Sequence, residues 1–535
     1  MRKVKVLYIL HSSVPGGANY SLIDMLGKLS EHVDPIAVIP RKGPFETALR
    51  DHGIAYHVQP FIGGYGKMGQ TTEKKKADSF VDNYNAAKEL VRLVKEKDID
   101  LIHSNSSANN VGAFLSILTG IPIILHIREA MEQQFGCEYW DEDLTVSLME
   151  NADSIISVSE AVRSYVLNRH GVDSIVIYDG IEKNSYYQNI SDKVFPPYFY
   201  IAGDIMECKG QFDAIRAMKI LSSRYDMKST LTVVGRGYYK SVWAANKLVE
   251  DLGIGHCSQI QSFVNDMRSF RFGYGYALVC SKYEALGRVT VEAMLAGNLV
   301  IGADTGGTGE IIGRDGKRGL LYKYGDIYDL AEKMNAALKM PLETKIKILK
   351  NAQDYVIKSF DTQNCASNIF QIYQTVLSRT LNKKREYDKD FIESIYKKYE
   401  YFRTAQGQVN QEPIRKQPIV ADVNDRFKKT DDKAQSVAQY FKKNKLKTAA
   451  IYGMGYLGCE IFDILQTIGI DIVFVSDRDP NGIEYAVRFL RPEDEWEYAD
   501  IVINTVVNDT DGTDRFILSK GNYTVVHVKE ILDWN

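Results

Sequence analysis

The chain has 535 residues, a formal net charge of -3, 45% hydrophobic and 25% charged residues. That length exceeds what one core can bury, so roughly two to four domains are expected, and the near-balanced charge supplies no global field that would favour nucleic acid. The six cysteines (Cys137, Cys208, Cys257, Cys280, Cys365 and Cys459) form no C-x-x-C pair, which argues against a disulfide framework or a structural zinc site and fits a reducing compartment.

The basic start and short apolar run of "MRKVKVLYILHSSVPGGA" are broken by His11, Ser12 and Ser13 and lead into a glycine loop, so a first strand is expected there rather than a signal peptide. Helical spacing of Leu22, Met25, Leu26 and Leu29 follows, then strand-like "PIAVIP", helix-like "GPFETALRDHG" and the strand-like runs "DLIHSNS", "PIILHI" and "DSIISVS". No run is long enough to cross a membrane, and a cytoplasmic protein is expected. A second series opens near residue 197. "PYFYIAG", "TLTVVG", "SQIQSF", "YALVCS" and "NLVIG" read as strands, with "KGQFDAIRAMKILSS", "GRVTVEAMLAG" and "DIYDLAEKMNAAL" as helices. Such alternation predicts doubly wound α/β sheets of parallel strands. We divide the chain into Rossmann-like domains at 1–185 and 186–380, the last helix of the second crossing back to the first, a charged helical linker at 381–446 and a small Rossmann-like unit at 447–535. The linker either packs on the rest of the protein or lies on a membrane surface near a lipid-linked acceptor. A chain ending near Leu381 is expected to fold and keep transfer activity.

Three stretches carry chemistry. Gly16 and Gly17 end the first strand and open a helix, whose free N–H groups and positive dipole end suit an anion. In "AGDIMECKGQ", Lys209 lies between a strand and a helix, where its point charge can meet a phosphate. In "SKYEALGRVTVEAMLAG", Glu284 falls in the loop at the carboxyl end of a strand, where open sheets bind ligands. Gly287, Arg288 and Val289 open the next helix, and Glu292 lies about one turn inside it, where a carboxylate can bridge vicinal hydroxyls.

This combination resembles the family-4 retaining glycosyltransferases, whose GT-B fold sets two Rossmann-like domains face to face. The resemblance rests on two glutamates separated by seven residues, on "IIGADTGGTGEII", "SIISVSEAVRSYV", "SIVIYDGI" and "TLTVVGRG", and it spans roughly residues 4 to 380. It implies a nucleotide-diphosphate sugar as donor, a UDP-sugar first, a glycan or glycoconjugate as acceptor, no metal and no further cofactor. Glu292 would bind the ribose hydroxyls and Glu284 the transferred sugar. Lys209 would pair with the β-phosphate. Arg288 with Gly287 and Val289, and Gly16 and Gly17 from the first domain, would face the diphosphate, and His126 would approach the donor sugar. Phe263 and Val264 would line the base pocket. Family members usually carry an arginine shortly after the glycine that ends the first strand of the second domain. Here Asp204 stands in that position, with Arg236 and Arg288 as compensating cations.

In the last unit, Gly453, Gly455 and Gly458 spell G-x-G-x-x-G between a strand and a helix, and Asp477 follows about 20 residues later, as a ribose-binding acid would. This unit either binds a nucleotide or serves docking and oligomerisation, its glycines kept for packing. The leading expectation is a transferase in cell-surface glycan synthesis, soluble or peripheral at the inner membrane face. The alternatives are a non-catalytic nucleotide-sugar-binding partner of another transferase, motivated by Asp204, and a nicotinamide-dependent oxidoreductase acting through the last unit.

Overall fold

The computed structural model describes residues 2–191, 193–225, 228–237, 239–261, 264, 266–380, 389–409 and 433–453, and beyond these residues 458, 461–462, 464–465, 468–476, 488–490, 496, 498–505, 510–521, 523–527 and 530–531. Two compact units emerge, one of residues 1–235 and 248–410, the other of 236–247 and 411–535.

The larger unit contains two parallel sheets. The first orders its seven strands Ala55–Val58, Val33–Ile39, Val4–Ile9, Leu101–Ser104, Ile123–Ile127, Ser154–Ser157 and Ile175–Val176. The second orders six strands Ser258–Gln261, Thr230–Val234, Tyr198–Ala202, Tyr276–Val279, Leu299–Ala303 and Leu320–Tyr322. In both, the first strand of the series lies inside the sheet and the order reverses beside it, which opens a crevice at the carboxyl ends. The strands are apolar on both faces because helices cover both faces. Leu7, Ile9 and Ile102 pack under one helical layer, and Val6, Tyr8 and Leu101 under the other. A further apolar cluster runs without interruption from Tyr139, Val158 and Val162 of the first domain to Ala285 and Leu286 of the second.

The helix Thr362–Thr380 follows the second sheet in sequence but packs in the first domain. Cys365, Ala366, Ile369, Tyr373 and Val376 join the same cluster as Leu22, Met25 and Leu26. Among the described residues, no helix is long and apolar enough to cross a membrane.

The charge-rich segment after residue 380 contributes to both units. Its helix Lys389–Val409 buries Ile392 and Tyr399, with Ile395, Tyr396 and Phe402 alongside, on the face of the first domain that carries Phe80, Tyr84 and Phe114. Tyr399 lies 5.4 Å from the Phe80 ring and donates to Asp141 at 3.0 Å, and Arg403 pairs with Asp78 and Asp82. The apolar stripe of this helix therefore packs on the first domain. The helix Lys433–Lys443 instead buries Val437, Tyr440 and Phe441 in the core of the smaller unit.

That smaller unit has a five-stranded parallel sheet ordered Arg488–Leu490, Asp471–Ser476, Thr448–Tyr452, Ile501–Asn504 and Val525–His527, the order of a Rossmann half extended by two strands. A Cβ on Gly458 would lie 2.0 Å from the Gly453 carbonyl oxygen, so this glycine is required by close packing of helix on strand. Gly455 and Asp477 lie outside the described residues.

The covering helix changes what truncation should do. A chain ending at Thr380 exposes the Phe80, Tyr84 and Phe114 face, and two buried side chains, Ile392 and Tyr399, are worth about 1.5–3 kcal/mol each. We expect that chain to melt lower and bind a hydrophobic dye, whereas one ending at Val409 should not. Calorimetry on the two chains checks this, and equal midpoints would show that the helix provides no cover.

Candidate functional site

The carboxyl ends of the two large sheets face each other across a cleft of about 400 Å³. From the second domain come Gly203, Lys209, Glu284 and the Gly287–Val289 turn. From the first come His11, Gly17, Ala18, Arg128 and Glu129.

The loop carrying Glu284 is fixed by its neighbours. Gly307 N–H donates to the Glu284 carbonyl at 2.7 Å, and Cβ atoms on Gly306 and Gly307 would meet the carbonyl oxygens of Glu284 and Leu286 at 2.5 and 2.2 Å. Only a glycine pair allows that approach. Lys282 N–H donates to the Cys208 carbonyl at 2.7 Å, tying this loop to the turn of Lys209. Lys209 Nζ then donates to Glu284 Oε1 at 2.7 Å, and Ser281 Oγ donates to the same oxygen at 2.6 Å. Gly287 has φ +90° and starts the helix Arg288–Leu295, so the first amides of that helix open toward the cleft.

Arg288 spans the domains. It donates to Ser21 Oγ at 2.6 Å and to the Gly180 carbonyl at 3.4 Å, and lies 3.6 Å from Asp24 and 3.7 Å from Glu292. Glu292 is 9% exposed and is not among the cleft-lining residues; Arg271, on the helix Met267–Phe272, donates to its Oε2 at 2.5 Å.

Of the residues singled out from the sequence, Gly17, Lys209, Glu284, Gly287, Arg288 and Val289 meet at the cleft. Gly16 is the extended N-cap of the helix Gly17–Leu29 and lies outside the lining. Val264 and the exposed Arg236 do not line the cleft either, and Phe263 is outside the described residues. Asp204 is exposed, and only its carbonyl is engaged, by Gln211 at 2.9 Å. Its side chain does not line the cleft, but its charge reaches Lys209, where it favours the protonated amine.

His126 needs correction. It is fully buried within the strand Ile123–Ile127 and does not line the cleft. The strand's next loop does that instead, through Arg128 and Glu129. Arg128 donates to Asn105 at 2.9 Å, to both oxygens of Asp179 at 2.6 and 2.7 Å, and to His126 Nδ1 at 3.3 Å. An arginine never accepts, so His126 Nδ1 must, and its proton sits on Nε2, which is buried without a partner. His103 Nε2 donates to the same Nδ1 at 3.3 Å. His103 Nδ1 therefore accepts from Tyr373 at 2.8 Å, and Tyr373 in turn accepts from Tyr8 at 2.9 Å. Hydrogen bonds from the returning helix and from Arg128 of the cleft thus converge on His126 Nδ1. Glu129 Oε1 accepts from Ser106 Oγ, Ser107 N and Ser107 Oγ at 2.7, 2.6 and 2.7 Å.

A second interdomain tie is Glu310. Its carboxylate accepts from Glu160 N at 3.2 Å, Ala161 N at 2.9 Å and Tyr178 Oη at 2.5 Å, so it caps the helix Glu160–His170 from the other domain.

Two outcomes follow from these contacts. Burial, with Arg128 nearby, lowers the His103 pKa to about 3 and lowers that of His126 too. The unfolded chain takes up protons below about pH 6.5 that the folded chain refuses. Stability is therefore full above that pH and falls as pH drops toward 3, by about 1.4 kcal/mol per unit for each histidine. Thermal midpoints from pH 7 to about 4.5 should fall, less steeply in a folded His126→Gln variant; a flat wild-type profile would contradict neutral buried rings. Glu310→Ala should weaken domain closure by about 1 kcal/mol, the usual worth of a helix cap. Small-angle scattering should then report a larger radius of gyration, and an unchanged radius would show that the cap does not hold the domains.

A model of Glycosyltransferase Family 4 matches residues 15–184, and a model of Glycosyl transferases group 1 matches residues 188–355. An uncharacterized glycosyltransferase of Methanocaldococcus jannaschii is 28% identical over 299 residues, 54% of this chain and 79% of that protein. A glycogen synthase of Mycobacterium tuberculosis is 25% identical over 236 residues, 42% of this chain and 55% of its own. Among solved structures, Anabaena Alr3699/HepE in complex with UDP and glucose aligns with a TM-score of 0.57 at 23% identity, over 70% of this chain and 100% of that one. Sucrose-phosphate synthase from Thermosynechococcus elongatus aligns with a TM-score of 0.58 at 17% identity, over 71% and 100%. Two adjacent family matches, each spanning one of the facing sheets, make residues 15–355 the paired domains of a glycosyltransferase with the GT-B fold.

Proposed function

We propose that this chain is a retaining glycosyltransferase that moves a sugar from a nucleotide-diphosphate donor, a UDP-sugar first, to a glycan or glycoconjugate acceptor in cell-surface glycan synthesis. The observation that carries the reading is the meeting of Lys209, the Gly287–Val289 amides and the helix start at Gly17 around one cleft. These groups are arranged for a diphosphate, and UDP and UDP-glucose are bound in structures of the similar Anabaena protein. As the sugar leaves, negative charge grows on the diphosphate. Lys209 and the amides favour that state over the ground state, and the reading assigns this work to them without a metal. Glu284 holds Lys209 in place and is close enough to the cleft to meet the sugar.

Glu292 remains our ribose ligand. A carboxylate has about four acceptor directions, so Arg271 can keep one oxygen while ribose hydroxyls take others. The reading is of a cytoplasmic protein that meets its acceptor at the inner membrane face, with the last unit kept for docking or oligomerisation, a role that the packing of Gly458 supports.

The test is a thermal-shift series followed by turnover. A donor or UDP at 100 times its Kd should stabilise the fold by about 2.7 kcal/mol. Lys209→Ala should lower kcat by roughly 10²-fold, the scale of one lost transition-state donor, with little change in KM. Glu292→Gln should weaken UDP binding while leaving Arg271 hydrogen-bonded. Alanine there would strand a buried arginine, at about 3–5 kcal/mol, and confuse folding with binding. No stabilisation by any nucleotide diphosphate or its sugars would end the reading.

A further inference from the structure

A groove of about 300 Å³ continues the cleft on the side of the first domain and shares His11, Tyr65 and Ala108 with it. Pro40, Phe61, Ile62 and Tyr65 give its mixed wall an apolar part, beside Ser12 and Asn109, and Arg41 is among its lining residues. The charges along this path are ordered. At the cleft end, Glu129 has one oxygen held by three hydrogen bonds, and its other oxygen has no partner among the described residues. In the middle is His11, whose ring nitrogens have no hydrogen-bond partner among the described residues. Burial and Arg128 lower its pKa against the opposing pull of Glu129, so the ring is neutral at neutral pH. At the far end the Arg41 backbone is pinned, Ser13 Oγ donating to its carbonyl at 2.5 Å, while its guanidinium is exposed and pairs with no carboxylate among the described residues. The acid nearest in sequence, Glu46, is already engaged by Gly43 N at 2.8 Å and Tyr56 Oη at 2.8 Å.

We infer that this groove binds the acceptor, and that the acceptor unit is a sugar carrying an anionic substituent, a carboxylate or a phosphate. The inference rests on the transferase reading above. A sugar ring presents apolar C–H faces to Phe61 and Tyr65, and its hydroxyls can donate to Glu129 and exchange with the neutral His11 ring. Its anion is repelled from Glu129 and drawn to Arg41, and Arg128 beside Glu129 is already paired with both oxygens of Asp179, so the charges at the two ends favour one orientation: hydroxyl toward the cleft, anion toward the rim. A neutral sugar would gain nothing from Arg41 and would bind in either sense.

The experiment is calorimetric titration of the full chain, with UDP present, using p-nitrophenyl β-D-glucuronide, glucose 6-phosphate and the neutral p-nitrophenyl β-D-glucoside. At least one anionic probe should bind about tenfold or more tighter than the glucoside, and which one does so tells carboxylate from phosphate. Arg41→Ala should remove the preference, Arg41→Lys should keep part of it, and added salt should shrink it. Arg41 is exposed, so these variants should fold, and UDP affinity should not change. Equal binding of charged and neutral probes, no binding of either anionic probe at millimolar concentration, or a preference that survives Arg41→Ala would overturn the inference. If UDP still stabilises the chain in that case, the donor assignment stands; if UDP does not stabilise the wild-type chain, the transferase reading falls instead.

Discussion

The two ion pairs Lys209–Glu284 and Arg271–Glu292 hold the cleft in its form. Each glutamate comes from one short segment, and each cation comes from a different turn or helix of the same domain. Desolvated charges are tolerated only when paired and hydrogen-bonded, so the pairs fix where the loop 281–287 and the helix Arg288–Leu295 can lie. The Gly306–Gly307 backing of the loop and the left-handed turn at Gly287 are the backbone consequences. A cation held in this way does not have to be reoriented when charge develops nearby, which is the source of electrostatic rate acceleration.

The second constraint is the return of the helix Thr362–Thr380 to the first domain. Through Tyr373 it feeds the hydrogen bonds that converge on His126 Nδ1, to which Arg128 also donates, and Arg128 completes a buried pair with Asp179. Arg288 donates to the Gly180 carbonyl beside that aspartate. The returning helix is thus in contact with the cleft through polar groups that are almost all satisfied, the His126 Nε2 hydrogen being the exception, at a cost of about 1–3 kcal/mol. A motion of one domain against the other has to respect these hydrogen bonds, which makes the helix a mechanical part of the site.

Much of the fold was legible because parallel strands covered on both faces are written as unbroken apolar runs, and the glycine turns between them mark carboxyl ends. Lys209, Glu284 and Gly287 were legible for the same reason, since each falls in a loop that follows such a run. His126 was misread. It lies inside its strand, and the cleft-lining residues are the next ones, Arg128 and Glu129, once the strand has ended. His11 has no pattern of its own in the sequence. Arg271 was invisible as a partner of Glu292, because 21 residues and a strand separate them and only tertiary packing joins them. The helix Lys389–Val409 was legible as a packing helix, but its partner face of Phe80, Tyr84 and Phe114 was not, because only tertiary packing joins segments about 300 residues apart.

The distribution of sign across the cleft has a consequence for direction. The second domain brings Lys209, Arg288 and Glu284 to the cleft, and the first brings the Arg128–Asp179 pair and Glu129, one of whose oxygens has no hydrogen-bond partner among the described residues. Two like unit charges about 4 Å apart repel by about 4 kcal/mol at an effective dielectric of 20. Under the proposed function, a diphosphate would be disfavoured beside Glu129 and favoured against Lys209 and the helix start at Gly17. What remains beside Glu129 and His11 is a position for neutral hydroxyls. Under the proposed function, the two substrates would be sorted by charge before shape acts, with the reacting carbon between Lys209 on one side and Glu129 on the other.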